Sequence, residues 1–277
     1  MKVKMEDVAK LANVNKATVS RALKGDSRIS STTREKVWQA AKALGYQPDA
    51  VARGLSSNRT GLLGVVFEDL SRPWVGLFLS GLDRVISRQN YSLLVKCSGE
   101  ISSQRNLVAR DLLSRNVDGI IWIAGSTPDI SFEGSFVSVG TESLLGSSVM
   151  IDLERGAQKL LKIAQGRPFV VDEGASPFFK GIENFLEKPT MKSALPIHIL
   201  DSTHEKNMIG GGENIVLCGY PDLARILKCY CLDWPAFDLG AIAGRLSLNA
   251  IQEKGVRPEK VMVVPPLYSP DGEVISL

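Results

Sequence analysis

Apolar positions recur three and four residues apart in the first sixty residues, and gather into short runs after that. Val8, Leu11 and Ala12 fall on one helical stripe. Asn13 ends this helix and Val14 tucks under the turn. Asn15 suits the N-cap of a second helix, where its side chain accepts from an early backbone N–H. In that helix Val19, Ala22 and Leu23 face inward, while Lys16, Ala17, Ser20 and Arg21 face outward. A third helix is predicted over about residues 32–44, with Val37, Ala40, Ala41 and Leu44 as its stripe. Ser31 or Thr32 caps it, and Glu35 sits at capping-box distance from Thr32. Gly45 suits the C′ position, and Tyr46 packs back on the small core. Pro48 and Asp49 then open a helix over 48–55, with Pro48 in the first turn and Asp49 at the positive end of the dipole. This piece is too short to hold in water, so it is expected to fold only against DNA or a second copy. Residues 56–60 read as a polar linker.

After residue 60 the runs alternate between strand and helix. Residues 61–67, 91–95, 118–123 and 136–139 read as strands. Helical patterns separate them, through Phe78–Ile86 and Leu107–Leu113. Such alternation predicts a parallel sheet with helices on both faces.

Charge divides the chain at the same place. It carries 33 basic and 30 acidic residues, a net of +3. The first sixty residues hold 12 basic and 5 acidic, a net of +7, which leaves the remainder at −4. The positive charge therefore sits where a polyanion would be gripped. The cysteines Cys97, Cys218, Cys229 and Cys231 fit neither a zinc ribbon nor a CxxC pair, and are expected as reduced thiols. There is no apolar run of spanning length and no apolar leader after Met1, so the expectation is a cytoplasmic protein.

The first two helices form a helix-turn-helix, whose second helix enters the major groove by its N-terminal residues. Lys16 and Ala17 occupy that leading edge, and Arg21 follows one turn on. A guanidinium can grip guanine through two bonds, and an alanine methyl suits a thymine methyl. These three are the candidates for base readout. Asn15, Thr18, Ser20, Arg28 and Thr33 are the candidates for the DNA backbone. Ala52, Arg53 and Leu55 are the candidates for the minor groove, with Leu55 as an apolar wedge.

Residues 3–60 resemble the DNA-binding head of the LacI/GalR family of bacterial transcription regulators. The resemblance rests on DVAKLANVNKATVSRAL, the TREKV…A…LGYQP stretch and AVARGL. It implies a homodimer on a palindromic operator, with hinge helices side by side in the minor groove. GVVFEDLSRPWVGLFLSGL and NLVARDLLSRNVDGIIWIA resemble the first subdomain of the same family's core, a periplasmic-binding-protein-like fold. The expected domains are then a head over 1–47, a hinge and linker over 48–60, and an effector and dimerisation core over 61–277. Within the core, subdomain one takes 61–150 and 235–256, and subdomain two takes 151–234 and 257–277. The second half matches less well, with a strand-turn-helix pair expected to be missing.

In such folds ligands lie outside the carboxyl ends of the strands. The expected effector pocket is Asp69, Ser71, Trp74, Ser126, Phe178 and Asp222. The family commonly places an arginine near Phe178, and its usual Asn-Asp pair has no clear counterpart; Asp222 is the nearest acid. A hydroxyl-rich sugar needs such groups to replace water. Sugar binding is therefore expected to be weakened, altered or absent. His198, His204, Asp201 and Glu205 rank low as a metal cluster, as does Gly210-Gly211-Gly212 as a phosphate cradle. No catalytic set, cofactor motif or metal site is identified.

The expected function is sequence-specific transcriptional regulation, as a repressor open to a small-molecule effector such as a sugar. Three alternatives stand: a constitutive DNA binder without effector, a small-molecule binding protein with a vestigial head, and an enzyme built on the βαβ core.

Overall fold

A computed structural model describes residues 3–23, 25–46, 59–99, 101–171, 181–186, 194–201, 212, 214–253 and 255–276. They form two compact units, 1–60 and 61–277. The expected hinge helix over 48–55, with Ala52, Arg53 and Leu55, lies outside the described residues, as do Phe178, His204 and Glu205.

The first unit holds α1 (Met5–Leu11), α2 (Lys16–Leu23) and α3 (Ser31–Ala43). The C-terminal ends of α1 and α3 are closed locally. After α1, Asn13 takes the left-handed conformation at φ 51°, and Val14 N–H donates to Ala9 O at 3.0 Å. After α3, Gly45 does the same at φ 62°, with Tyr46 N–H on Ala41 O at 2.8 Å. Both are Schellman closures that satisfy end carbonyls. The cap of α3 is Ser30, whose hydroxyl accepts from Thr33 N–H at 3.2 Å, one residue earlier than expected. Val8, Ala9, Ala12, Val19, Ala22, Val37, Ala40 and Ala41 form the core, with Tyr46 packed on its edge. Leu11, expected inward, is 55% exposed. The inward side of α1 is instead taken by Val8, Ala9 and Ala12.

The second unit carries two six-stranded sheets. Its elements are β1 (Leu62–Phe67), α4 (Val75–Ile86), β2 (Ser92–Cys97), α5 (Ser102–Ser114), β3 (Gly119–Ile123), β4 (Ser135–Val139), β5 (Ser147–Ile151), α6 (Leu153–Ala164), β6 (Phe169–Val171), β7 (Ile197–Asp201), β8 (Ile215–Cys218), α7 (Pro221–Leu227), β9 (Tyr230–Leu232), α8 (Ala236–Gln252), β10 (Lys260–Val263), β11 (Leu267–Tyr268) and β12 (Val274–Ile275). The first sheet runs β10-β5-β4-β3-β1-β2 and is wholly parallel. The second runs β12-β11-β9-β8-β7-β6, parallel from β6 to β9 and antiparallel thereafter.

Continuous burial along β1, β3 and β4 reflects cover on both faces. On one side α4 and α8 meet backbone to backbone. A Cβ on Gly81 would stand 1.9 Å from Phe237 O, and one on Gly240 2.1 Å from Phe78 O. Only glycine allows that approach.

The chain passes between the sheets three times: before α6, between β9 and α8, and between β10 and β11. Lys159 of α6 is buried and donates to Pro265 O at 2.9 Å on the third passage. Residues 257–277, expected in subdomain two, are split by that passage. β10 pairs with β5 in the first sheet, and only β11 and β12 join the second. Strand β5 went unread in the sequence because it opens on Ser147-Ser148. Both serines are buried with partners: Ser148 Oγ lies 2.9 Å from Ser138 Oγ, and Ser147 Oγ accepts from Glu259 N–H at 3.0 Å. Satisfied hydroxyls cost little to bury.

Candidate nucleic-acid interface and ligand crevice

The head presents α2 as a capped helix with one open face. Asn15 Oδ1 accepts from Thr18 N–H at 2.7 Å, which orders the first turn. That bond engages the side chain expected on the DNA backbone, so Asn15 acts here as the cap. Val19 and Ala22 turn inward; Lys16, Ala17 and Arg21 are exposed, with Thr18 and Ser20 half-buried beside them. The structure thus gathers the three expected base readers on one surface.

Two of the expected contact cations already have acidic partners. Lys16 Nζ lies 2.6 Å from Glu6 Oε1. Arg28 holds Asp26 through Nε at 3.0 Å and Nη2 at 2.7 Å. This fork, with a backbone bond from Arg28, keeps the Asp26 carboxyl well below the usual carboxylate range. Thr33 receives a hydroxyl bond from Ser30 at 2.9 Å. Sequence reasoning missed Glu6 and Asp26, because a carboxylate near a polyanion site reads as background.

In the core, strand order reverses between β1 and β3, so a crevice opens beyond their carboxyl ends. Asp69, Ser71 and Trp74 follow β1, and Ser126 follows β3. The structure places these four expected residues at that edge, each engaged by a neighbour. Asp69 Oδ1 accepts from Ser71 N–H and Oγ, both at 2.8 Å, which lowers its pKa, and Arg72 Nε stands 3.3 Å from Oδ2. Ser126 Oγ accepts from Arg105 Nη1 at 2.8 Å. Arg105 Nη2 donates to Glu68 Oε1 at 2.8 Å, with only 14% of the arginine side chain exposed. Trp74 meets Trp234 edge to face at 4.2 Å between ring centroids, and Phe67 at 5.9 Å. Asp222 opens α7 with its side chain 92% exposed, beside Arg225 and near enough to Asp233 to raise its pKa.

Sequence reasoning missed Glu68, Arg105, Asp233 and Trp234 here. Glu68 directly follows a strand, and Arg105 lies in the first turn of the next helix but one, positions that signal a crevice lining. Asp233 and Trp234 sit on the second passage between the sheets. Burial raises Asp233 to about 6, and nearby Asp222 adds to the rise. Among the described residues no group of three His, Cys, Asp or Glu side chains could hold a metal ion, and no helix is long and apolar enough to cross a membrane. His198 is exposed on β7. Cys229 and Cys231 are buried thiols pushed up by desolvation to about 11 and about 12.

A three-helix head followed by two doubly wound sheets, with three passages between them, defines a helix-turn-helix protein with a periplasmic-binding-protein-like core. Residues 4–49 match the family described as bacterial regulatory proteins, lacI family. The catabolite control protein A of Staphylococcus xylosus is 34% identical over 186 residues, covering 64% of this chain and 55% of that protein. The sucrose operon repressor of Pediococcus pentosaceus is 39% identical over 121 residues, covering 44% and 37%. The matched region thus spans about half the length of the first relative and about a third of the second. The fold is that of the Lac repressor dimer bound to operator and an anti-inducer, with a TM-score of 0.72 at 15% identity over 99% of this chain and 98% of that one. The head thus matches the lacI family of bacterial regulatory proteins over 4–49, and the whole chain shares the fold of the Lac repressor.

Proposed function

We propose that this protein is a sequence-specific transcriptional regulator of the cytoplasm, a repressor that binds a palindromic operator in double-stranded DNA as a homodimer. One observation carries the reading: a capped α2 presents Lys16, Ala17 and Arg21 together on an open face within the region shared with the lacI family. Lysines and arginines of the head neutralise phosphates and supply the affinity; the α2 face selects the bases. Residues 48–55, with Ala52, Arg53 and Leu55, couple core to DNA through the minor groove, and Arg28 and Thr33 hold the backbone. The protein works by binding, without catalysis or a cofactor.

Arg21→Ala tests this directly. Affinity for an operator is expected to fall by about 1–3 kcal/mol, confined to one symmetric base position. An equal loss on every sequence demotes Arg21 to a phosphate contact.

A second reading concerns the effector. One relative is named a sucrose operon repressor, and a sugar in the crevice would act by shifting the subdomains between states. Here most crevice groups already have partners among their own neighbours: Asp69 has Ser71, Ser126 and Glu68 have Arg105, and Trp74 has Trp234, while Arg105 Nε is buried without one. This supports weakened sugar binding and favours a regulator that grips DNA without an effector. Thermal shift against a panel of monosaccharides is expected to show no stabilisation; a micromolar ligand refutes it.

A further inference from the structure

The ion pair between α1 and α2 joins two side chains that the base-reading surface would use together. Glu6 lies in the first turn of α1 and Lys16 opens α2, ten residues on. Their Nζ···Oε1 distance is 2.6 Å, and the side chains are 51% and 62% exposed, so the pair stands at the surface beside Ala17. Each partner favours the other's charged form: the hydrogen bond lowers the Glu6 carboxyl and raises the Lys16 ammonium. The unit is therefore a charged donor in contact with a charged acceptor.

We propose that Glu6 and Lys16 act as one reading element for a G·C pair in the major groove, with Glu6 as a specificity residue that sequence analysis did not assign. The proposal rests on the DNA-binding reading above. Three physical arguments support it.

A lone lysine is a point charge that serves phosphate as well as base. A carboxylate paired with it repels phosphate oxygens, which weakens the indiscriminate contact and leaves the discriminating one. The two bases then differ in what they offer. In the major groove G·C sets two adjacent acceptors, N7 and O6 of guanine, next to one donor, N4 of cytosine. Lys16 can donate to both acceptors while Glu6 accepts from cytosine. A·T sets its donor between two acceptors, so beside Glu6 the lysine finds one acceptor in place of two. Last, Glu6 sits on the helix that crosses the backbone in this motif, and its 2.6 Å contact with Lys16 holds the carboxylate beside the residue that opens the recognition helix.

The test compares the full chain with Glu6→Gln, Lys16→Gln and the double variant on a set of operators differing at one symmetric pair. Circular dichroism of each variant verifies that the helices persist; both side chains lie at the surface, and Gln keeps the shape of Glu6 while removing the charge at either position. The expected result is that Glu6→Gln reduces the preference for G·C at one symmetric position about tenfold. Lys16→Gln is expected to act at that same position, with the double variant little worse than either single one. Glu6→Gln is also expected to tighten binding to unrelated duplex and to steepen its salt dependence, since a lysine is released to phosphate. Unchanged preference at every position, or a uniform gain on all sequences, overturns the proposal. Failure of the wild-type chain to prefer any sequence strikes the DNA-binding reading itself, so the two failures are distinct.

Discussion

In the head, the buried side chains are three valines and five alanines. In the core they include Phe67, Phe78, Trp122 and Trp234, with whole strands closed to solvent. The head keeps its chemistry outside, on an open helix face where charges meet in pairs. The core turns its chemistry inward, where Trp74, Glu68 and Arg105 find partners within the fold. A thin alanine interior permits short helices that present a surface, and it leaves the head dependent on caps and end closures. A dense interior fixes the residues that line the crevice. The same chain thus carries one unit with its charges on an open helix face and one whose charges and rings pair with each other.

The sharpest way to break this contrast lies where α4 and α8 touch. Gly81→Ala drives a Cβ to 1.9 Å from Phe237 O, and Gly240→Ala to 2.1 Å from Phe78 O. The obstacle is backbone, which cannot rotate away. Each change is expected to cost at least about 3 kcal/mol in chemical denaturation of the full chain. Gly76→Ala in the same α4 meets nothing within 4 Å and is expected to gain about 0.5–1 kcal/mol. Equal effects at Gly76 and Gly81 would mean the two helices are not in close contact.

Asp233 sharpens the contrast through pH. Its folded-state pKa of about 6 lies above the ordinary 3.8, so the folded chain holds a proton that the unfolded chain releases. The stabilisation is whole below about pH 4 and disappears as pH rises through about 6. Asp233→Asn is therefore expected to raise the melting temperature at pH 7.5 and leave it unchanged near pH 4. A parallel shift at both values contradicts a buried, titrating carboxyl.

The head's dependence on caps gives the smallest expected effect. Asn15→Ala removes the 2.7 Å bond to Thr18 N–H and is expected to destabilise the head by about 1 kcal/mol. Operator affinity falls with it, equally for all sequences, since the cap orders α2 without choosing a base. Loss at one base position alone would assign Asn15 to readout.

Much of the head was legible because its signals are local. Asn13, Asn15 and Gly45 punctuate the chain within one turn of where they act, and the alanine-valine stripe follows a single period. Leu11 misled because a stripe states which side faces inward and not how wide the interior is. The core strands β1 to β4 were legible as apolar runs. Strand β5 was hidden by Ser147 and Ser148, whose burial depends on Ser138 and Glu259, and β10 by its pairing with a strand more than a hundred residues away. The crevice was half legible. Asp69, Ser71, Trp74 and Ser126 stand where strand ends predict, but Trp234 and Arg105 reach them only through tertiary folding.

The account rests on the open face of α2 choosing bases in a symmetric duplex. Its most direct test is selection of bound sequences from a random duplex pool by the full-length chain at moderate salt. The account predicts an enriched site of twofold symmetry, whose half-sites lose one defined position in Arg21→Ala. A pool that stays random after repeated selection, or an enriched site with no symmetry, contradicts it.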